Sequence, residues 1–248
     1  MATRGGVAQA QLQDQATCAP PSYVLKVQPA SGSRMQLSAS LNGGAALKVN
    51  SARSTGSVKA DVTGQVRPTG NALQIQWTVT DDANKPDTRP TWVSLQMGHG
   101  ASFTPVAVLR SDYYPGRTSL NFKFDAPPKG NLQCDVQAAQ YSVTLGQAVG
   151  EGRVTQDTLS ANGKFYAIST NEPSDMMRGL RLDLHPYLVH GKNHVRLLWQ
   201  VLRQQNGSDG PGAQITRTAD GKTQVLAKTL VQGKQGAQGQ LQATITVP

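Results

Sequence analysis

Residues 182–201 have the sequence LDLHPYLVHGKNHVRLLWQV, and residues 60–79 have the sequence ADVTGQVRPTGNALQIQWTV. The two stretches align without a gap over twenty positions, at a constant offset of 122 residues. Four of the matched pairs keep the same residue type: Asp61 and Asp183, Asn71 and Asn193, Trp77 and Trp199, and Val79 and Val201. A spacing of 122 residues between the copies indicates a domain duplication, because the repeats of a solenoid are much shorter.

Other landmarks recur in the same order along the chain. The turn sequence Asn42-Gly43 recurs as Asn162-Gly163, and the closing segment LNFKF at 120–124 is matched by LQATI at 241–245. Between the halves, residues 126–130 (APPKG) contain adjacent prolines, which cannot both donate to a sheet. We therefore predict a flexible tail over 1–17, a first domain over 18–125, a linker over 126–130 and a second domain over 131–248.

Short segments of alternating apolar and polar residues follow one another closely, and turn residues separate them. In the first half they are Tyr23–Val27, Met35–Ala39, Leu47–Val49, Leu73–Val79, Trp92–Met97, Val106–Leu109 and Leu120–Phe124. No stretch shows a helical stripe of three turns, so the pattern predicts an all-β fold of antiparallel sandwiches or barrels. We expect Trp77 and Trp199 in the core because they share a face with aliphatic residues; a sugar-stacking role is the alternative.

The second copy carries a recognisable block, Asn162-Gly163-Lys164, then LDLHPYL at 182–188, then Gly191-Lys192-Asn193. This block resembles the galactose-binding-domain-like jelly rolls that serve as accessory modules in secreted glycoside hydrolases and cell-surface proteins. The resemblance covers the central part of each copy and is looser in the first. It implies two tandem, antiparallel, jelly-roll-like β-sandwich domains with a carbohydrate-binding role. Because its elements are turns with backbone roles, it supports the fold more than any one ligand.

We expect no enzyme, since the sequence has no nucleophile elbow, phosphate loop or dinucleotide fingerprint. The four histidines, His99, His185, His190 and His194, lack the spacing of a zinc site. The loop at 81–87 (DDANKPD) is rich in carboxylates, and jelly rolls of the resembled family often carry a structural calcium ion. A lysine lies among these carboxylates, however, which favours a plain turn. The prediction is therefore no cofactor, with structural calcium as the alternative.

The charge of the chain constrains its partners. The formal net charge is +9 and the pI is about 9.8, but no run of Lys and Arg exceeds two residues. A nucleic-acid surface would be more focused, so we predict no specific nucleic-acid binding. The charge indicates either a weak preference for polyanions or simply a solvated surface. No apolar run is long enough to cross a bilayer.

The N-terminal residues suggest a compartment. Ala8-Gln9-Ala10 is typical of the end of a signal-peptide cleavage site, although the residues before it lack an apolar core. The alternative is that Ala and Gln are merely common in this chain. We expect an extracytoplasmic protein, periplasmic or secreted, whose signal peptide has been removed or replaced. Cys18 and Cys134 could then form one disulfide, with buried free thiols as the alternative.

Loop aromatics are the candidate ligand-binding residues, because flat rings beside Arg or Asn suit sugar recognition. The candidates are Tyr113, Tyr114, Arg117, Phe165, Tyr166 and Tyr187. The same rings could instead plug the ends of the sandwiches. The sequence thus predicts a non-catalytic binding or assembly protein that recognises a surface polysaccharide or a protein of the cell envelope. Two alternatives are a structural component of a phage, pilus-like or other extracellular assembly, which would form oligomers, and an accessory subunit of an envelope enzyme complex.

Overall fold

Sixteen strands dominate the structure, a computed structural model that describes residues 20–28, 34–51, 56–80, 92–99, 102–110, 116–135, 139–145, 153–171, 180–204, 212–231 and 234–248. The strands of the first domain are β1 (Ser22–Gln28), β2 (Arg34–Leu41), β3 (Gly44–Ser51), β4 (Val58–Asp61), β5 (Asn71–Thr80), β6 (Trp92–His99), β7 (Ser102–Arg110) and β8 (Gly116–Phe124). Those of the second domain are β9 (Gln140–Leu145), β10 (Arg153–Ala161), β11 (Lys164–Asn171), β12 (Leu180–Asp183), β13 (Gly191–Gln204), β14 (Gly212–Ala219), β15 (Lys222–Leu230) and β16 (Gln238–Val247). Three short 3-10 turns lie at Thr63–Gln65, Leu132–Cys134 and His185–Tyr187.

The two domains pair their strands in the same order. The first has antiparallel sheets of order β4-β1-β6-β7 and β3-β2-β5-β8. The second has β12-β9-β14-β15 and β11-β10-β13-β16, which is the first pattern with every strand advanced by eight. Each domain is therefore a two-sheet sandwich of eight strands, and the predicted all-β, two-domain fold is confirmed.

The alternation of apolar residues predicts seven of the eight strands of the first domain. All seven segments predicted in the first half lie inside observed strands. Strand β4 was not predicted, because its sequence VKAD is only four residues long and carries no more than two apolar positions. The domain limits stay predictions, although β8 ends at Phe124 and the next regular element begins at Leu132.

The core follows from the alternation in β5 and β13, the matched strands. In β5, Leu73, Ile75 and Trp77 are buried, whereas the residues between them face water. Trp199 is buried in the same way in β13, so both tryptophans belong to the core as predicted. Each large side chain removed from water contributes roughly 1.5–3 kcal/mol to folding. Buried residues of the two domains form one continuous cluster.

A buried asparagine anchors the turns of the first domain. Asn42 and Gly43 both have positive φ, the conformation of a type I′ hairpin turn between β2 and β3. The Asn42 amide donates to Oδ1 of Asn71 at 2.9 Å, and its own Oδ1 accepts from the backbone of Ala72 at 2.9 Å. Asn71, fully buried, also accepts from and donates to the backbone of Arg67, both at 2.7 Å. One side chain thus satisfies backbone groups that would otherwise be buried without partners.

The second domain repeats these four hydrogen bonds. Asn162 takes the same turn and donates to Oδ1 of Asn193 at 3.0 Å, while its Oδ1 accepts from the backbone of His194 at 2.8 Å. Asn193 is fully buried and exchanges bonds with the backbone of Val189 at 3.1 and 2.7 Å. The paired asparagines therefore explain physically why these residues recur in the sequence.

The irregularities of the sheets recur as well. A β-bulge interrupts the β2–β3 pairing between Ala39 and Ser40, and another interrupts β10–β11 between Leu159 and Ser160, 120 residues later. The β6–β7 and β14–β15 pairs share a second bulge at the same spacing. Because a bulge shifts the register by one residue, these matches fix which residues of the two domains are equivalent.

The two domains join edge to edge. Strand β7 of the first domain pairs in parallel with β11 of the second, with Ala107 opposite Ile168 and Val108 opposite Ser169. This pair makes one eight-stranded sheet of order β16-β13-β10-β11-β7-β6-β1-β4. Strand β11 also contacts β8, so it lies against both sheets of the first domain. We call the β7–β11 pair the joint.

Asp125, the first residue after β8, reinforces the joint. Its backbone N–H donates to the carbonyl of Phe165 at 2.7 Å, and its carboxylate accepts from the backbone of Phe165 at 3.3 Å. The other carboxylate oxygen accepts from the backbone of Gly70 at 2.8 Å. One side chain therefore bonds to both domains. In the part of the chain that the structure describes, no helix has the length and hydropathy needed to cross a membrane.

Replacement of Asn193 by alanine should cost about 3 kcal/mol of unfolding free energy, because it leaves backbone groups of Val189 buried without partners. Urea unfolding followed by circular dichroism measures the change. Asn121→Ala, at an exposed position of β8, is the control and should stay within about 0.5 kcal/mol. Equal losses in the two variants would contradict the role assigned to the network.

Gly239 of β16 lies directly opposite Trp199, and a Cβ atom there would overlap the indole ring. Gly239→Ala should therefore destabilise the fold by about 1–3 kcal/mol through overpacking. Gly212→Ala is the matched control, since Gly212 also lies in a strand and a Cβ there meets no atom within 4 Å. A thermal melt of both variants tests this, and an unchanged melting temperature for Gly239→Ala would refute it.

Candidate functional site

Of the six predicted ligand-binding residues, the structure describes the side chains of Phe165, Tyr166 and Tyr187. Tyr113 and Tyr114 lie outside the described residues. Arg117 lies in β8 opposite Thr78, and its side chain is outside the described part of the chain. The disulfide prediction cannot be followed either, because Cys18 and the side chain of Cys134 fall outside the described atoms. The carboxylate-rich loop at 81–87 lies outside as well.

Tyr166 and Tyr187 are interior residues rather than loop aromatics open to solvent. They are 2% and 1% exposed, and their rings stack with centroids 4.6 Å apart. Burial raises the pKa of Tyr166 to about 12, and the Asp125 carboxylate adds to the increase. Burial also raises the pKa of Tyr187. The accessibility expected for these two rings is therefore wrong, and their packing matches the alternative in which such rings fill the sandwich.

Phe165 differs from its neighbour, with 47% of its surface exposed. It pairs with Ser160 across the β10–β11 bulge, and Tyr166 is the extra residue of that bulge. A bulge re-aims side chains, which explains how adjacent aromatics reach opposite environments. The bonds from Asp125 hold the backbone of Phe165 at the start of β11.

Phe165 borders a groove of about 670 Å³ on the outer face of the β11-β10-β13-β16 sheet. We call this the second-domain groove. Its lining residues are Ser160, Gly163, Phe165, His194, Val195, Arg196, Leu198, Gln242, Ala243 and Thr244. Amide, hydroxyl, imidazole and guanidinium groups are represented in that set, and a carboxylate is not.

The strand register places the polar groups of the groove in rows. Ser160 lies opposite Arg196, and Arg196 lies opposite Gln242. Directly opposed residues of neighbouring strands share a face, so Phe165 begins a row that ends at Gln242. The next row holds His194 and Thr244, whose side chains lie 3.2 Å apart, Nδ1 to Oγ1. An aromatic ring thus lies beside two rows of hydrogen-bonding groups.

The equivalent face of the first domain also forms a groove, of about 810 Å³, on the β3-β2-β5-β8 sheet. Its polar lining residues are Gln36, Ser38, Lys48, Asn50, Gln76, Thr78 and Ser119. Ala45 pairs across the bulge there as Phe165 does in the second domain. Among the described residues of the first-domain groove, no exposed ring takes the place of Phe165.

The three histidines whose side chains the structure describes do not converge on one point. His194 lies in the second-domain groove, whereas His190 contacts the Pro248 carbonyl and lies 3.4 Å from a carboxylate oxygen of Asp135. The side chain of His99 falls outside the described atoms. Among the described residues no group of three His, Cys, Asp or Glu side chains is placed to hold a metal ion.

His185 has a structural partner that the sequence did not reveal. Its Nδ1 lies 2.6 Å from Oδ1 of Asp183, and its Nε2 lies 3.1 Å from the carbonyl of Ala139. Only the doubly protonated ring can donate to both oxygens. The hydrogen bond to Asp183 accordingly raises the pKa of His185, although burial opposes the shift.

The first domain fills this position with an uncharged residue. Thr63 takes the place of His185, and its backbone N–H donates to Oδ1 of Asp61 at 2.9 Å. Hydrogen bonds from Thr63 lower the pKa of Asp61. The Asp183–His185 turn of the second domain therefore contains a titratable histidine, whereas the Asp61–Thr63 turn of the first domain does not.

The chain matches no known protein family, no curated protein and no solved structure. Its function has to be inferred from the geometry of its surface.

Stability should fall as the pH rises through the folded-state pKa of His185. Because folding raises this pKa, the stabilisation is complete below the unfolded value near 6.5 and is lost above the folded value. Each unit by which folding raises this pKa corresponds to about 1.4 kcal/mol of unfolding free energy. Water reaches the half-exposed Asp183 and screens the interaction, so the actual contribution is smaller.

Urea unfolding between about pH 5 and 8 measures this dependence. His185→Thr, which installs the residue of the first domain, should flatten the profile. Asn121→Ala, at an exposed position of β8, removes no titratable group and should leave the slope unchanged. A slope that survives His185→Thr would contradict the assignment.

Proposed function

We propose that the protein is a non-catalytic, extracytoplasmic binding protein that recognises a polysaccharide in the second-domain groove. The observation that carries the proposal is the exposed ring of Phe165 beside rows of polar side chains. Sugars present an apolar face that stacks on an aromatic ring and an edge of hydroxyls that need directed hydrogen bonds. The groove offers both kinds of contact on one rigid sheet.

The donors of the groove favour an acidic polysaccharide. Arg196 supplies a guanidinium group suited to a carboxylate or sulfate, and the described residues that line the groove include no acidic side chain. The net charge of +9 adds a general attraction for a polyanion. Gln242 and Thr244 would bond sugar hydroxyls next to the charged group.

The absence of acidic side chains from the lining also bears on the chemistry. Hydrolysis of a glycosidic bond by the usual mechanism needs two carboxyl groups flanking the bond. The described residues that line the second-domain groove supply neither. Binding without cleavage is therefore the activity that this surface supports.

We also infer that the two domains are copies of one ancestral domain, related in architecture to galactose-binding-type jelly rolls. The shared strand order, the paired asparagines and the matched bulges support the duplication. The two-sheet, eight-strand architecture is compatible with a β-sandwich, the broader class to which jelly rolls belong. With Ala45 at the position of Phe165, the first domain does not share the proposed ligand.

Binding to an array of acidic and neutral polysaccharides tests the proposal. Wild-type protein should bind at least one acidic polysaccharide, with an affinity that falls as salt is added. Phe165→Ala should weaken binding at least tenfold, about 1.4 kcal/mol, and Arg196→Gln should remove the preference for acidic over neutral chains.

Gln76→Ala, in the first-domain groove, is the matched control and should bind as the wild type does. Melting temperatures exclude unfolding as the cause of a loss. An array with no signal, or equal binding by wild type and Phe165→Ala, would overturn the proposal.

A further inference from the structure

The two strands that form the joint each have an equivalent strand in the other domain, and both of these equivalents lie at the edge of a sheet. The joint pairs β7 with β11, and the strands equivalent to these are β15 and β3. In the described part of the chain, β15 and β3 each have a hydrogen-bonded neighbour on one side only. If β15 of one molecule met β3 of another, the geometry of the joint would be repeated between chains.

The bulges define the residues that would meet. Leu95 pairs with Ala107 beside the bulge of the first domain, and Ile215 pairs with Ala227 beside the matching bulge of the second. Val108 therefore corresponds to Lys228. By the same argument, Ile168 and Ser169 of β11 correspond to Lys48 and Val49 of β3.

The residues at the pairing positions differ between the joint and the two free edges. Three of the four residues paired in the joint are apolar: Ala107, Val108 and Ile168. Each free edge carries an exposed lysine at one of the two pairing positions, Lys48 on β3 and Lys228 on β15. A lysine on an edge strand opposes pairing, because the ammonium group loses water when another strand covers it.

Strand β15 nevertheless keeps apolar surface along its edge. Val225 and Leu230 are 47% and 48% exposed, and they lie on either side of Ala227 and Lys228. A strand paired to this edge would cover part of that surface. Lys228, by contrast, opposes a partner on this edge.

We propose that the β15 and β3 edges form a latent second joint that fits another copy of this chain, and that Lys48 and Lys228 hold it open. The contact is head to tail, so it does not close on itself and would propagate into a filament if both lysines were apolar. In the wild type the lysines limit edge pairing to the single joint within each molecule. This proposal does not depend on the polysaccharide site, which lies on a sheet face of the second domain.

Sedimentation velocity of the full chain over a range of concentrations tests the proposal. Wild type should sediment as one chain. Lys48→Ile/Lys228→Val should form assemblies whose size grows with concentration. Lys26→Val/Lys192→Ile is the control with the same loss of charge, placed in β1 and β13, which have neighbours on both sides, and it should stay a single chain.

Mixing the single variants distinguishes edge pairing from general stickiness. Lys48→Ile lacks the lysine on the β3 edge, and Lys228→Val lacks the lysine on the β15 edge. Each variant keeps the other lysine, so each alone should remain a monomer. Their mixture should give heterodimers and stop there, since the outer edges of such a dimer still carry lysines.

Several results would overturn the proposal. They are a folded double variant that stays monomeric at the highest concentration, single variants that each assemble alone, and a wild type that already forms chains. Circular dichroism and melting temperature establish that the variants are folded.

Discussion

The hydrogen bonds of Asn71 and Asn193 are the constraint on which both domains depend. Each amide is fully buried and bonds at once to the hairpin turn that precedes it and to the loop that leads into its own strand. A smaller or apolar side chain would leave several backbone groups unsatisfied. The hairpin and the long strand β5 or β13 are therefore locked in one register. In the second domain this register sets Arg196 beside Ser160 and Gln242, and with it the floor of the groove.

Features that depend on neighbouring residues of one sheet could be predicted from the sequence, whereas the pairing of the two domains could not. Asn-Gly turns, alternating strands and the core position of Trp77 follow from interactions within one sheet, and all were predicted correctly. The joint was not, because pairing between β7 and β11 depends on two edges that are distant in sequence and carry no shared motif. Strand β4 was too short for its pattern to stand out.

The adjacent residues Phe165 and Tyr166 show where the limit lies for the candidate site. Both are aromatic and both were candidate ligand-binding residues, with packing at the end of the sandwich as the alternative. Their separation into an exposed and a buried ring comes from a bulge and from the nearby Asp125, neither of which is visible in a run of two aromatic letters. The His185–Asp183 bond could have been suspected from the two-residue spacing, but the Ala139 carbonyl that fixes the ring orientation comes from another part of the chain.

Synthesis of the chain leaves the joint incomplete for a time. About 61 residues separate Ala107 from Ile168, so at roughly 5–20 residues per second the edge of β7 waits on the order of 3–12 s for its partner strand to be made. During that interval the β7 edge of a newly made first domain is unpaired and exposed to other nascent chains. Pro105, within β7, lacks a backbone donor, and it lowers the ability of that edge to capture a foreign strand before its own arrives.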